Sequence, residues 1–211
     1  MSPARPLPAS FYLRPTPDVA RDLLGCRLIR RLPGGRTPSV VIVETEAYLG
    51  IGDRAAHTWN GRRTDRVAPM WGPGGHAYVY QIYGMHFCLN VVTQKEGVPE
   101  AVLIRGGMPE ESWLRRGSDP FVASGPGKLC RYLLINRSLS GASLAGPDLI
   151  LSRGPRRAFD VLVGPRIGVA YAGEAASWPL RFAVAGCAAV TQRRHLARFL
   201  TVPSGPRGKT P

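Results

Sequence analysis

Lysine is nearly absent from this chain: Lys95, Lys128 and Lys209 are the only three among 211 residues. Acids are scarce as well, with 14 Asp and Glu against 28 Lys and Arg, so the formal net charge is +14 and almost all the positive charge is arginine. No run approaches the ~20 apolar residues that a membrane span requires. Residues 1–17 are broken by Pro3, Pro6, Pro8 and Pro15 and lack the apolar stretch of a signal peptide. No C-x-x-C occurs, and Cys26, Cys88, Cys130 and Cys187 are far apart. Reduced thiols are therefore expected rather than a disulfide frame or a zinc site. His86 and Cys88 fall on one strand face without a second ligand pair, so no metal and no cofactor are expected. The expectation is an intracellular, cytoplasmic protein (nucleoid-associated if bacterial) with no membrane partner.

Glycine (25) and proline (20) are plentiful, which implies many turns and argues against a helical bundle or coiled coil. With 44% hydrophobic and 20% charged residues, the chain can bury a substantial core as one domain. A surplus of +14 points to a polyanionic partner, nucleic acid ahead of acidic membrane. Arginine suits that partner because its planar fork grips phosphate and stacks on bases, although a GC-rich genome produces the same bias.

The organisation reads as a flexible Pro-rich arm over 1–15, one domain over 16–200 and a flexible basic tail over 201–211. Thr16-Pro17-Asp18 reads as a helix start, with a capping hydroxyl, proline in the first turn and an acid at the positive end of the dipole. Gly25 is its stop. Strands are predicted over Ser39–Tyr48, Ala77–Tyr83, His86–Thr93, Val98–Arg105, Leu149–Ser152, Ile167–Tyr171 and Leu180–Val184, with a helix from Pro126. Strands joined mostly by turns give an α+β fold, an antiparallel sheet or open barrel with a few covering helices.

Alternation along a strand puts Glu44, Glu46 and Tyr48 on one face and Val43, Thr45 and Ala47 on the other. Two carboxylates and a phenol together read either as an exposed, salt-bridged face or as a carboxylate placed to activate water beside an aromatic wall. Tyr78 and Tyr80 share a face further on, as core filling or as a platform. Tyr83 falls at a hairpin tip, where Gly84 permits the turn and an exposed aromatic can act as a wedge between bases. The stretch from Gly50 to Gly75, with His57, Trp59, Arg62, Arg63 and Arg66, is too long and glycine-rich for a filler connection and reads as a functional loop.

In this order, several segments closely resemble the 3-methyladenine (alkyladenine) DNA glycosylase family, the type shared by bacteria and mammals. They are Val43-Glu-Thr-Glu-Ala-Tyr-Leu-Gly50, Ala55-Ala-His57, Gly72-Pro-Gly-Gly-His-Ala-Tyr-Val-Tyr80 and Ile82-Tyr-Gly-Met-His-Phe-Cys-Leu-Asn90. Val102–Arg105, Ser124–Cys130, Arg166-Ile-Gly-Val and Pro179–Phe182 follow. The resemblance covers most of residues 16–185 and implies one mixed domain around a curved antiparallel sheet. It implies Glu46 as the general base that activates water, and Tyr48, His57 and Tyr80 as walls stacking on a flipped base. It further implies Asn90 as a gate against the exocyclic amine of guanine, Tyr83 as the wedge, and Arg105 as a ligand of the flipped nucleotide's phosphate and of the water network. Two positions depart from the usual pattern: Gln81 replaces an apolar residue, and Trp71 a phenylalanine.

The implied activity is that of a monofunctional DNA glycosylase of base excision repair. It would take 3-methyladenine, 7-methylguanine, hypoxanthine or ethenoadenine from double-stranded DNA, act as a monomer and leave an abasic site. Scarce lysine agrees, because a combined glycosylase and lyase commonly needs an amine nucleophile. Two rival readings use the same residues. In one, a noncatalytic binder uses the tyrosines as a stacking platform and the arginines as a groove. In the other, a metal-dependent nuclease gathers Glu44, Glu46 and Asp53.

Overall fold

The computed structural model describes residues 4–114, 119–155, 157–196 and 202–203. Four short α-helices are seen, α1 (Ala9–Tyr12), α2 (Thr16–Asp22), α3 (Glu110–Leu114) and α4 (Pro126–Tyr132). Among the described residues nine strands form a single unclosed sheet: β1 (Arg27–Arg30), β2 (Ser39–Tyr48), β3 (Ala77–Ile82), β4 (His86–Thr93), β5 (Glu100–Pro109), β6 (Leu149–Ser152), β7 (Asp160–Gly164), β8 (Arg181–Val184) and β9 (Val202–Pro203). Every pairing is antiparallel, in the order β3-β4-β5-β2-β8-β7-β9, with β1 between β2 and β6.

β2 is the spine. Its first half pairs with β1 and its second with β8, while β5 runs along the other edge. The change of partner coincides with a break in register against β5: Ile42 faces Gly107, Glu44 faces Gly106 and Thr45 faces Ile104. Val43 and Arg105 are the residues left over. An extra residue bends a strand and re-aims its side chains, and here the bend turns Arg105 toward β2. Val40, Val41, Ile42, Leu89, Val91, Val102 and Ile104 pack with Leu129 and Leu133 around α4 in a fully buried core.

The helix expected at Thr16 is present, but its hydroxyl does not cap it. Thr16 lies inside the first turn, and Oγ1 donates to Glu100 Oε2 at 2.5 Å, because that half-buried carboxylate is a stronger acceptor than a neutral backbone group. Gly25 follows the helix with φ +78°, the left-handed value that a stop requires. Residues 4–15 depart from the expected flexible arm. Leu7 N donates to Leu151 O, and Leu7, Phe11 and Tyr12 are buried in the core, so apolar side chains between the prolines anchor the segment. The strand expected at Ile167–Tyr171 is also absent: Ile167 donates its N–H to a side chain, and Ala170–Ser177 coil as a 3₁₀ helix. β1 and β7 were missed, being short and flanked by arginine or glycine. Of the tail, Val202 and Pro203 pair with β7; residues 201 and 204–211 lie outside the described residues.

Candidate active site

One row of cross-strand neighbours builds the floor of the site. Tyr78 on β3 faces Asn90 on β4, Asn90 faces Leu103 on β5, Leu103 faces Glu46 on β2, and Glu46 faces Arg181 on β8. Residues paired across a sheet point to the same side; Tyr78, Asn90 and Leu103 of this row line one cavity of about 290 Å³, and Glu46 and Arg181 continue the row in the buried layer beside it. Tyr48, His57, Tyr78, Tyr80, Asn90, Arg105, Ile167 and Val169 line it, with the exposed Tyr83 and Tyr171 at its rim.

Glu44 and Glu46 are both fully buried, so the exposed salt-bridged face is not what forms. A buried carboxylate must be paired and hydrogen-bonded, and the two acids meet this need differently. Glu44 is saturated: Arg181 Nε donates to Oε1 at 2.7 Å, Thr191 N to Oε2 at 2.9 Å, and Thr191 Oγ1 reaches the carboxylate at 2.9 Å. Burial pushes the Glu44 carboxyl above its ordinary range, against the opposing pull of Arg181, Thr191 and Arg105. Glu46 has fewer close partners. Tyr48 OH donates to Oε2 at 2.9 Å, Ile167 N donates to Oε1 at 2.8 Å, and Arg105 Nη1 stands off at 3.4 Å. Burial, and then the negative Glu46, drive the Tyr48 phenol well above its ordinary value, so it stays a donor to Glu46.

The aromatic wall comes from β3 and from the turn after β2. Tyr78 and Tyr80 stack at 5.4 Å between centroids with 28° between planes. His57 stands edge-on to Tyr80 at 4.6 Å, and its Nδ1 lies 2.9 Å from Tyr78 OH. Burial, with the Arg66 and Arg62 charges, lowers the His57 pKa to about 4, so the ring is neutral near pH 7. Asn90 is buried, and its Nδ2 donates to Tyr78 O at 3.2 Å.

The turn that carries His57 is fastened from below. Asp53 accepts from Leu49 N at 3.0 Å and Ala55 N at 2.9 Å, and it pairs with Arg166 through Nη1 and, at 2.8 Å, through Nη2. Both side chains are fully buried. Arg166 also donates to Ala47 O and Ala175 O, and its guanidinium sits 4.8 Å from the Tyr48 ring centroid. Asp53 is thus the counter-ion of Arg166 and does not join Glu44 and Glu46. Among the described residues no three His, Cys, Asp or Glu side chains converge as a metal site needs.

Tyr83 is 87% exposed at the tip between β3 and β4, with φ +50°, next to Gly84 at φ +68°. A bulky residue in the left-handed region costs energy, and here the strained pair points the ring outward at the cavity mouth. Every residue expected at the site therefore gathers around one cavity: Glu46 beneath the floor, Tyr48, His57, Tyr80 and Asn90 in the walls, Arg105 beside Glu46, Tyr83 at the rim. Sequence reasoning missed Asp53–Arg166, Thr191, the Ile167 N–H and the full part of Tyr78. The Arg166-Ile-Gly-Val motif was the one signal that could have pointed to two of them.

Comparison with known proteins identifies the family. A family model described as Methylpurine-DNA glycosylase (MPG) matches residues 10–188. A protein of Methanocella arvoryzae is 52% identical over 184 residues, covering 83% of this chain and 90% of its own length. One of Bdellovibrio bacteriovorus is 46% identical over 180 residues (83% and 93%), and one of Desulfitobacterium hafniense 42% over 186 residues (82% and 91%). All three bear the name "Putative 3-methyladenine DNA glycosylase". The chain belongs to the methylpurine-DNA glycosylase family, hydrolases of N-glycosyl bonds that act on DNA in its repair. No described helix is long and apolar enough to cross a membrane.

Proposed function

We propose that this glycosylase extrudes an alkylated or deaminated purine from duplex DNA and hydrolyses its N-glycosidic bond with water activated by Glu46, leaving an abasic site. The observation that carries the reading is a carboxylate beneath an aromatic cavity, held by Tyr48 OH and Ile167 N but not saturated as Glu44 is.

A target atom inside a duplex is out of reach, so the nucleotide must leave the stack at a cost of a few kcal/mol. Tyr83 fills the gap it leaves. Stacking on Tyr48, His57 and Tyr80 returns about 1–3 kcal/mol per stacked base. Alkylation leaves a purine cationic, and the tyrosine faces favour a cation by about 0.5–2 kcal/mol. A neutral His57 adds no repulsion against that charge. Asn90 at the wall discriminates against the amine of guanine. The Glu46 carboxylate stabilises the cationic sugar as the C1′–N bond breaks and its electron pair leaves with the purine, and it then takes a proton from water as the oxygen bonds to the anomeric carbon; a cationic alkylpurine leaves as it stands, whereas a neutral base takes up a proton to leave. Arg105 orients that water and the nucleotide's phosphate. No lysine lines the cavity among the described residues, which supports simple hydrolysis over lyase chemistry. We take 3-methyladenine, 7-methylguanine, hypoxanthine and ethenoadenine as substrates and a cytoplasmic or nucleoid-bound monomer as the working form. No cofactor is required.

The test is alkali-revealed cleavage of duplex oligonucleotides carrying one hypoxanthine or one ethenoadenine, with protein in excess and EDTA present. Glu46→Gln should slow base release by about 10²–10⁴ while binding persists. If neither these lesions nor methylpurines are released although binding is tight, the protein is a binding module. Loss of activity in EDTA would overturn the metal-free hydrolysis proposed here.

A further inference from the structure

We propose that Thr191 is a positioning residue that decides which of two carboxylates Arg105 serves; this rests on the reading of Glu46 as the base. Arg105 is the extra residue of the β5 bulge, and it lies between the two acids of β2, with Nε 3.4 Å from Glu44 Oε1 and Nη1 3.4 Å from Glu46 Oε1. Neither contact is a close hydrogen bond. At equal distance, something else must choose.

Thr191 occupies the interval. Its Oγ1 accepts from Arg105 Nε at 3.2 Å and donates to the Glu44 carboxylate at 2.9 Å. Its N–H donates to Glu44 Oε2 at 2.9 Å, and its carbonyl accepts from Arg181 Nη2. With Arg181 as counter-ion, Glu44 is already neutralised and fully buried. The hydroxyl therefore acts as a spacer. It gives Arg105 Nε an acceptor that is not Glu44 itself and leaves Nη1 facing Glu46 and the cavity. Without the hydroxyl, Arg105 Nε has a direct path to Glu44 Oε1, and closing the 3.4 Å gap draws the guanidinium away from Glu46. Glu44 is the anchor of this arrangement and Thr191 its adjustable part. Thr191 lies beyond the segment 10–188 that the family model matches, and a position outside any strand or helix carries no motif to announce it.

The test compares Thr191→Val, which has nearly the same shape and keeps both backbone bonds, with Thr191→Ser. Each is measured by single-turnover base release, by affinity for the lesion duplex and by thermal unfolding, with Glu46→Gln alongside. Thr191→Val is expected to slow release by roughly 10- to 100-fold, as small misplacements of catalytic groups do, with affinity and melting little changed. Thr191→Ser restores the rate. In an Arg105→Gln background Thr191→Val should add nothing, because coupled residues are not additive. A wild-type rate for Thr191→Val, no rescue by serine, or full additivity with Arg105→Gln would each overturn the proposal while a slow Glu46→Gln leaves the catalytic reading standing. A Glu46→Gln variant as fast as the wild type would instead remove the reading beneath it. If Thr191→Val loses its cooperative melt, Thr191→Ala carries the same comparison.

Discussion

The two sides of the cavity are held in place by different means. Glu46, Tyr78, Tyr80, Asn90 and Arg105 stand on four adjacent strands whose ladder fixes the first four against their neighbours and sets Arg105 at its bulge. His57 and Ile167–Tyr171 lie outside the strands, and their backbone is tied together chiefly by one buried ion pair between residues 113 positions apart, Asp53 and Arg166, with single hydrogen bonds from Ile167 N to Glu46 and between His57 and Tyr78. A ladder distributes its constraint over many bonds, so losing one matters little. An ion pair concentrates it, and the loop side should be the first to open.

The strongest way to break this comparison is Asp53→Ala. It leaves a fully buried guanidinium without its counter-ion, and such losses cost about 3–5 kcal/mol. Denaturant unfolding should show that loss. Hydrogen exchange should accelerate in residues 50–57 and 167–176 while β2 and β5 stay protected. Equal acceleration on both sides would mean that the walls form one cooperative unit and that the contrast is wrong. Replacing both partners, as in Asp53→Asn with Arg166→Met, should recover part of the stability because no charge is then stranded.

Why one side was legible and the other was not follows from the same physics. Strand faces repeat every two residues, so Glu44, Glu46 and Tyr48, or Tyr78 and Tyr80, announce a shared side with no knowledge of partners. Their burial was hidden. A face with two acids looks solvent-bound until Arg105 and Arg181 arrive from distant sequence to neutralise it. The bulge that turns Arg105 has no local pattern, and the contact of Thr191 with Glu44 spans 147 positions. The strand expected at Ile167–Tyr171 failed for a related reason: its apolar residues line the cavity rather than pair in the sheet.

A smaller effect separates the two sides by pH. The His57 pKa falls from an ordinary value near 6.5 to about 4. Between these values the unfolded chain binds a proton that the folded ring declines, so stability present above pH 6.5 is lost as pH falls toward 4. The loss is on the order of 2–3 kcal/mol. Urea unfolding at several pH values should show a steeper decline for the wild type than for His57→Gln, which has nothing to titrate. Parallel curves would mean that the ring protonates freely and that the loop side is wet.

The smallest effect lies on the strand side, at the hairpin tip. Gln81 stands on β3 where an apolar residue is usual in the resembling pattern. Its Nε2 donates to Gly84 O at 2.6 Å, across the turn that holds Tyr83 at positive φ. The bond is exposed, so its net value is at the low end of about 0.5–1.5 kcal/mol, and Gln81→Ile should barely move the melting temperature. Its consequence should be local. A loosened tip holds Tyr83 outward for less of the time, which matters only when a paired base must be displaced. Release from duplex should therefore fall a few-fold, since about 1.4 kcal/mol corresponds to tenfold, while release from single strands is unchanged. Equal loss on both substrates would place Gln81 in the pocket rather than in the wedge. No loss on either would mean that the strained backbone of Tyr83 and Gly84 is held by the β3–β4 ladder alone, which would extend the rigidity of the strand side to its outermost residue.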